Sequence, residues 1–78
     1  MNHEQRESAF GPEAQFSEYK RGETIRFRDG DQVKQGTIIH VIAPSKAVID
    51  GEMHPLTYVV DTGKGFPSMA YESDVVLE

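Results

Sequence analysis

The sequence predicts an all-β fold of very small size, and three observations carry this prediction. Residues 36–43 (GTIIHVIA) are the densest apolar run, and four of these eight residues are Ile or Val, which favour strands. Residues 23–28 alternate polar and apolar side chains, as a half-buried strand does. Turn residues separate each candidate strand from the next, and no segment after residue 21 has the length and period of a helix.

Length and composition limit what such a chain can be. Its 78 residues make one domain at most, near the lower limit for a self-sufficient core. It has no Cys, so no disulfide reinforces the core, which makes oligomerisation a further route to stability. The net charge of −5 disfavours nonspecific binding to nucleic acid. The chain has neither an apolar run of transmembrane length nor an apolar leader, so we expect a cytoplasmic protein that does not enter membranes.

Residues 1–21 are predicted to form a flexible N-terminal arm, and residues 22–78 the folded barrel. The arm is rich in Glu, Gln and Ser and has no sustained hydrophobic period. We expect at most a short helical turn, over residues 13–19. Three aromatic residues, Phe10, Phe16 and Tyr19, either pack in part onto the barrel or a neighbouring subunit, or lie loosely exposed.

The first two predicted strands form a hairpin. Ile25 and Phe27 fall on one face of the first strand, whereas Arg26 and Arg28 fall on the other. Residues 29–31 (DGD) are typical of a hairpin loop. In the central run, apolar residues occupy both alternating positions, which predicts a strand that is buried on both faces or bends around a corner.

The remaining elements are short strands and turns. In chain order they are a turn at 44–46, strands at 47–50 and 56–61, a glycine turn at 62–65, a strand at 66–71, a 3₁₀ turn at 72–74 and a closing strand at 75–77. Pro67 weakens the start of the strand at 66–71, because proline cannot donate to a sheet ladder. Five or six short strands in a folded part of this size predict a five-stranded SH3-like barrel. An OB-fold is the main rival, but it needs more chain and a helix.

Several of these segments carry a family resemblance. Residues 22–26 (GETIR), 35–39 (QGTII) and 58–61 (YVVD), followed by Tyr71, resemble the small bacterial SH3-like barrels that include the plasmid- and integron-borne type B dihydrofolate reductases. The resemblance implies the fold and an oligomeric habit. In those reductases a Gln-Ile-Tyr motif in the last strand binds folate and nicotinamide in the pore of a tetramer. The aligned residues here are Met69, Ala70 and Tyr71, so only the tyrosine matches.

A second resemblance lies in residues 65–71 (GFPSMAY), which look like the segment of eukaryotic SH3 domains that precedes their 3₁₀ turn. There the Pro and Tyr line the groove that receives a polyproline II ligand. This chain has no Trp and no Ala-Leu-Tyr-Asp-Tyr element. We therefore interpret the likeness as the same strand-to-turn geometry and not as a sign of proline-peptide binding.

No arrangement of residues predicts an enzyme or a metal site. His3, His40 and His54 do not lie at metal-ligand spacings, and His40 is expected to be a partly buried strand residue with one hydrogen bond. The serines have no catalytic-triad context, and residues 62–65 (TGKG) lack the phosphate-loop spacing. The sequence therefore leans against an enzyme and predicts no cofactor and no metal.

The candidate binding residues lie mainly in the last third of the chain: Tyr58, Phe66, Pro67, Met69 and Tyr71. A barrel this small has to expose some of them, and an exposed apolar patch marks a partner or a subunit interface. Arg26 and Arg28 offer a basic strip for a phosphate or an acidic partner, with a solvated outer face as the alternative.

Together these features predict a non-enzymatic interaction module that associates with itself or with another protein. The accessory, mobile-element character rests only on the resemblance to the bacterial barrels. The alternative is a divergent type B dihydrofolate reductase that uses NADPH as a homo-tetramer. Nucleic-acid binding is a third hypothesis, which the negative charge disfavours.

Overall fold

A computed structural model of the protein describes residues 2–46 and 53–76. Its elements are α1 (His3–Phe10), β1 (Thr24–Asp29), β2 (Gln32–Ile42), β3 (Ser45–Lys46), β4 (Met53–His54), β5 (Thr57–Asp61), β6 (Ser68–Tyr71) and a 3₁₀ helix η1 (Glu72–Asp74). One curled antiparallel sheet has the order β1-β2-β5-β6, and β3 and β4 form a separate pair. The chain is thus mostly β, as predicted. The predicted strand at 47–50 and Leu77 lie outside the described residues.

The first hairpin has the predicted pattern. Ile25 and Phe27 are buried, whereas the arginines between and after them are exposed. Asp29 pairs with Gln32, which leaves a two-residue loop. Gly30 in that loop has a φ of 62°, a left-handed conformation that glycine adopts without steric cost.

The central strand bends, which was one of its two predicted forms. β2 pairs with β1 through its first half and with β5 through its second half. The register shifts between Ile38 and His40, as at a β-bulge, and a bulge increases the local bend of a strand. At Gly36 an added Cβ would collide with the carbonyl oxygen of Asp61 and lie 2.7 Å from Val60 Cγ1. Glycine at this position therefore lets β2 pass close to the end of β5.

The core lies on the inner face of the curled sheet. It consists of Ile25, Phe27, Ile38, Val41, Tyr58, Val60 and Ala70. After η1, which confirms the predicted 3₁₀ turn, the chain returns to the first strand. Val75 forms a β-bridge with Phe27, and the Val76 N–H donates to the Arg26 carbonyl oxygen at 2.8 Å.

The N-terminal residues differ from the prediction in the position of their helix. No helix covers residues 13–19; instead α1 spans His3–Phe10 and begins with a capping box between Asn2 and Gln5. Glu13 forms a β-bridge with Ile42. Residues 12–14 therefore run in an extended conformation along β2. Main-chain hydrogen bonds to the strand stabilise this segment more than a short helix would, because such a helix is marginal in water.

The last strand of the sheet is shorter than predicted. It begins at Ser68 and not at residue 66. The physical reason is Pro67, which has no N–H to donate and so cannot take part in the ladder with β5.

Candidate interaction surface

Large apolar side chains are exposed at one place in particular. Those exposed among the described residues are Phe16, Val33, Met53, Phe66, Met69 and Tyr71. Half of them lie within residues 66–71, at exposures of 87% for Phe66, 59% for Met69 and 46% for Tyr71. Pro67, between them, is also exposed. We call residues 66–71 the β6 surface.

The alternation of β6 explains why these side chains face solvent. Ala70 pairs with Tyr58 and is buried in the core. Its neighbours Met69 and Tyr71 therefore project from the opposite face of the sheet. The small Ala70 thus fills the core side of the strand, and the described residues leave the outer face of Met69 and Tyr71 largely exposed.

The outer edge of β6 is also open as far as residues 2–46 and 53–76 are concerned, because among them the strand comes last in the sheet and pairs only with β5. The Tyr71 N–H donates to Asp74 Oδ2 at 3.0 Å and so points away from β5. Main-chain groups two residues apart point to the same side of a strand. The N–H and carbonyl of Met69 therefore lie on the open edge as well.

A groove of about 300 Å³ adjoins this surface. It is lined by Pro55, Leu56, Tyr71, Glu72 and Ser73. Its floor is partly apolar, because the half-buried Leu56 packs against the core. Tyr71 belongs both to the groove and to the β6 surface, so the two are contiguous.

Tyr58, predicted as a binding residue, belongs to the core. Its side chain is fully buried and its ring meets that of Tyr19 edge-on at 5.9 Å. Its hydroxyl accepts a hydrogen bond from the Tyr19 N–H and donates one to Glu72 Oε1, both at 3.2 Å. Burial, with the nearby Glu72 carboxylate, raises the pKa of Tyr58. Its function is to tie together the N-terminal segment, the sheet and η1.

The two predicted arginines lie on β1 and not on the β6 surface. Arg26 and Arg28 are exposed on β1, where they pair with Gln35 and Val33 of β2. The structure thus keeps Phe66, Pro67, Met69 and Tyr71 together. It places the basic residues in the opposite terminal strand of the sheet order.

A second cluster centres on His40, which is buried completely rather than partly. Its Nε2 lies 3.0 Å from the Gly11 carbonyl oxygen, which fits the single hydrogen bond expected from the sequence. Its Nδ1 lies 3.7 Å from Glu13 Oε2, and the Phe10 ring lies 5.6 Å from the imidazole. Sequence reasoning missed this cluster, because its residues are about thirty positions apart along the chain. The signal for the helix was the capping box that Asn2 and Gln5 form at its start.

The acidic part of this cluster is held in place by the main chain. Glu7 Oε2 accepts a hydrogen bond from the Glu13 N–H at 3.0 Å, and this bond holds the pKa of Glu7 below its usual value. In residues 2–46 and 53–76, no three His, Asp or Glu side chains come together in a way that could hold a metal ion.

Comparisons with known proteins add no relative. No protein-family model matches the chain, and searches of curated proteins and of solved structures found no similar protein. In the part of the chain that the structure describes, no helix is long and apolar enough to cross a membrane.

Proposed function

We propose that this protein is a small SH3-like barrel that acts as a non-catalytic interaction module and self-associates through the β6 surface. The observation that carries the proposal is the open edge of β6, which bears the exposed side chains of Met69 and Tyr71. An unpaired strand edge beside exposed apolar side chains is a template for pairing with another chain.

The barrel assignment is supported by the return of the chain to β1 after η1. The bridge between Val75 and Phe27 and the hydrogen bond from Val76 to Arg26 add a fifth extended segment beside the first strand. In the proposed barrel the five strands are β1, β2, β5, β6 and this closing segment, which follows the 3₁₀ turn, while β3 and β4 form a separate pair.

A second copy of the chain fits the open edge. If two β6 strands pair antiparallel about a two-fold axis at Met69, each Met69 exchanges main-chain hydrogen bonds with its counterpart. Tyr71 then lies opposite Pro67 of the second copy. This arrangement leaves no N–H group at Pro67 or Tyr71 without a hydrogen-bond partner, because proline has no N–H and the Tyr71 N–H already donates to Asp74.

Pro67 and Asp74 also limit the association to a closed dimer. Pro67 and Asp74 prevent the main-chain ladder from extending beyond Met69, and an isologous contact does not propagate into a fibre. A four-residue edge buries less than the roughly 800 Å² per partner of a standard interface. We therefore expect a weak dimer whose population depends on concentration.

Light scattering over a dilution series tests this function. The wild-type mass should rise from 8.7 kDa towards twice that value as concentration increases. Met69→Lys should remain monomeric, because the substitution places a charge in the interface. Met53→Lys is the matched control, since Met53 is the same residue type at 65% exposure on β4. A wild type that stays monomeric up to about 1 mM, a concentration at which even weak complexes form, would refute self-association.

The likeness to type B dihydrofolate reductases supports an alternative in which a homo-tetramer oxidises NADPH. The observation in its favour is that the one matching motif residue, Tyr71, is exposed beside a groove. Purified protein with dihydrofolate and NADPH tests it at 340 nm, the absorbance of the reduced nicotinamide. Turnover that is lost in Tyr71→Phe would favour the reductase, and the absence of turnover and of NADPH binding would remove it.

A further inference from the structure

The contact between β2 and the N-terminal strap contains a buried histidine with an unusual environment. We define the strap as residues 2–14. Two main-chain hydrogen bonds hold it beside β2 and the residue that follows it, from the Ala14 N–H to the Val41 carbonyl at 2.8 Å and from the Ala43 N–H to the Pro12 carbonyl at 2.9 Å. His40 lies beneath the strap with none of its surface exposed.

The hydrogen bond to Gly11 determines which nitrogen carries the proton in neutral His40. A carbonyl oxygen only accepts, so Nε2 must be the donor. In that tautomer Nδ1 is an unprotonated acceptor. It is buried, it has no hydrogen-bond partner, and it faces Glu13 Oε2 at 3.7 Å. The Nδ1 lone pair cannot form a hydrogen bond with the Glu13 carboxylate, because both groups are acceptors. Buried polar atoms without a hydrogen-bond partner are rare.

We propose that His40 is a proton-operated lock that holds the strap on β2. When solvent delivers a proton to Nδ1, the imidazolium donates to the Gly11 carbonyl through Nε2 and faces the Glu13 carboxylate through Nδ1. Both contacts then become charge-assisted. The strap is therefore bound more tightly at mildly acidic pH than at alkaline pH.

The charges around His40 decide the direction of this effect. On the strap they are the carboxylates of Glu7 and Glu13. His3 lies 3.3 Å from Glu7 and 3.6 Å from Glu13, and Arg21 lies 3.6 Å from Glu13. Arg6 also contributes a positive charge next to Glu7.

From the sheet, His40 meets its strand partner Val59, which is buried and uncharged. Burial opposes a charged imidazole, whereas the anionic oxygen nearest to Nδ1 favours it. Glu13 is the only carboxylate at that nitrogen among the described residues, so its charge is the element on which the lock depends.

The helix at the start of the strap adds no buried side chain. None of the residues of α1 is buried, and a helix of eight residues is marginal in water by itself. Gaining or losing one charge–charge contact should therefore change the fraction of molecules in which the strap is detached from β2. The stability of the core on the other face of the sheet should not change.

Amide hydrogen exchange of the full chain tests the lock at Ala14 and Ala43, whose N–H groups make the two strap hydrogen bonds. The measurement runs from about pH 8 to about pH 5.5, which spans the ordinary titration of imidazole and stays above that of carboxylates. After correction for intrinsic rates, protection of both amides should rise by at least about tenfold as the pH falls, the scale of a charge-assisted hydrogen bond. Amides in the β1–β2 ladder serve as the internal reference and should not change.

Two variants assign the effect. Glu13→Gln should reduce the pH dependence to the part that the bond to the Gly11 carbonyl supplies, while the strap hydrogen bonds persist; a pH dependence as large as that of the wild type would overturn the proposal. His3→Gln should retain it, because His3 is 60% exposed and lies outside the contact with β2. A pH dependence that vanishes in His3→Gln, that is absent from the wild type, or that has the opposite sign would overturn the proposal.

The imidazole nitrogens give a second readout that does not depend on the variants folding. In a ¹H–¹⁵N spectrum of the wild-type histidines, His40 should be the Nε2–H tautomer at high pH and doubly protonated at low pH. An His40 that stays neutral throughout this range would also exclude the lock.

Discussion

The sheet has two edges that differ in how far the chain covers them: the edge of β2 beyond Thr37 and the outer edge of β6. Beyond Thr37 the strand β2 has left β1, and its free edge is filled by the N-terminal segment. The Gly22 N–H donates to the Ile38 carbonyl and the Ala14 N–H to the Val41 carbonyl, both at 2.8 Å. The edge of β6 receives no such strand from the described residues, and only Asp74 caps one of its N–H groups.

The side chains beside the two edges follow this difference. At the covered edge even a histidine is fully buried, whereas at the open edge a methionine is 59% exposed. The proposed self-association uses the edge of β6, at which the described residues place no further strand.

We expect the largest loss of folding stability from a substitution that blocks the close passage of β2 beside β5. Gly36→Ala places a methyl group against the Asp61 carbonyl and Val60, so β2 cannot curl past β5. We expect a loss of about 3 kcal/mol in the free energy of unfolding. Urea unfolding followed by circular dichroism measures it. Thr37→Ala, at the next and exposed position, should cost far less.

A smaller loss is expected where the core is tied to the segment that covers β2. Tyr58→Phe removes the hydrogen bonds to Tyr19 and Glu72 and leaves the Tyr19 N–H without this acceptor. The expected cost is about 1–3 kcal/mol. Chemical unfolding at neutral pH gives this value directly.

The same tyrosine predicts the direction of an alkaline pH effect. The folded-state pKa of Tyr58 is raised above 10.0, mainly by burial, so its contribution is complete below pH 10.0 and is lost as the pH rises further. Tyr58→Phe should therefore lose less stability than the wild type between neutral and strongly alkaline pH. An identical alkaline loss in both proteins would show that another group is responsible.

Removing one hydrogen bond between the N-terminal segment and β2 should reduce the free energy of unfolding by a smaller amount. Ala14→Pro removes the N–H that donates to the Val41 carbonyl. We expect a loss of about 1 kcal/mol and faster amide exchange at Ala43. Ala14→Gly keeps the N–H and is the matched control; equal losses in the two variants would mean that the methyl group, which packs against the core, carries the effect.

The smallest effect on folding is expected at the open edge. Met69→Lys should change monomer stability by no more than about 0.5 kcal/mol, because the side chain is largely in solvent. Its dimer dissociation constant should nevertheless rise by at least about tenfold, since the lysine amine has to be desolvated. Thermal unfolding of dilute protein together with sedimentation measures both quantities. A large loss of monomer stability would place Met69 in the fold rather than at an interface.

The local pattern of the sequence was sufficient for much of the sheet. The alternation around Ile25 and Phe27, the bend in the central run and the 3₁₀ turn at η1 are all properties of neighbouring residues. The helix at the N-terminus was missed because it has no apolar face, and only its capping box marked it.

Long-range contacts were beyond sequence reasoning. Burial of His40 depends on Gly11, which is 29 positions away, and Tyr58 is a core residue because Tyr19 and Glu72 close over its hydroxyl. All of Tyr58, Val59 and Val60 are buried, so β5 shows no alternation that would distinguish its faces. Met69 and Tyr71 of β6 are exposed, and Pro67 was the signal in the sequence for an edge strand.

The most direct test of self-association at this edge is a methyl NMR dilution series of protein labelled at its methionine methyl groups. We predict that the Met69 signal shifts with concentration while the Met53 signal, from a comparably exposed side chain, does not. Signals of Met69 that stay unchanged over the whole series, or a shift confined to Met53, would contradict it.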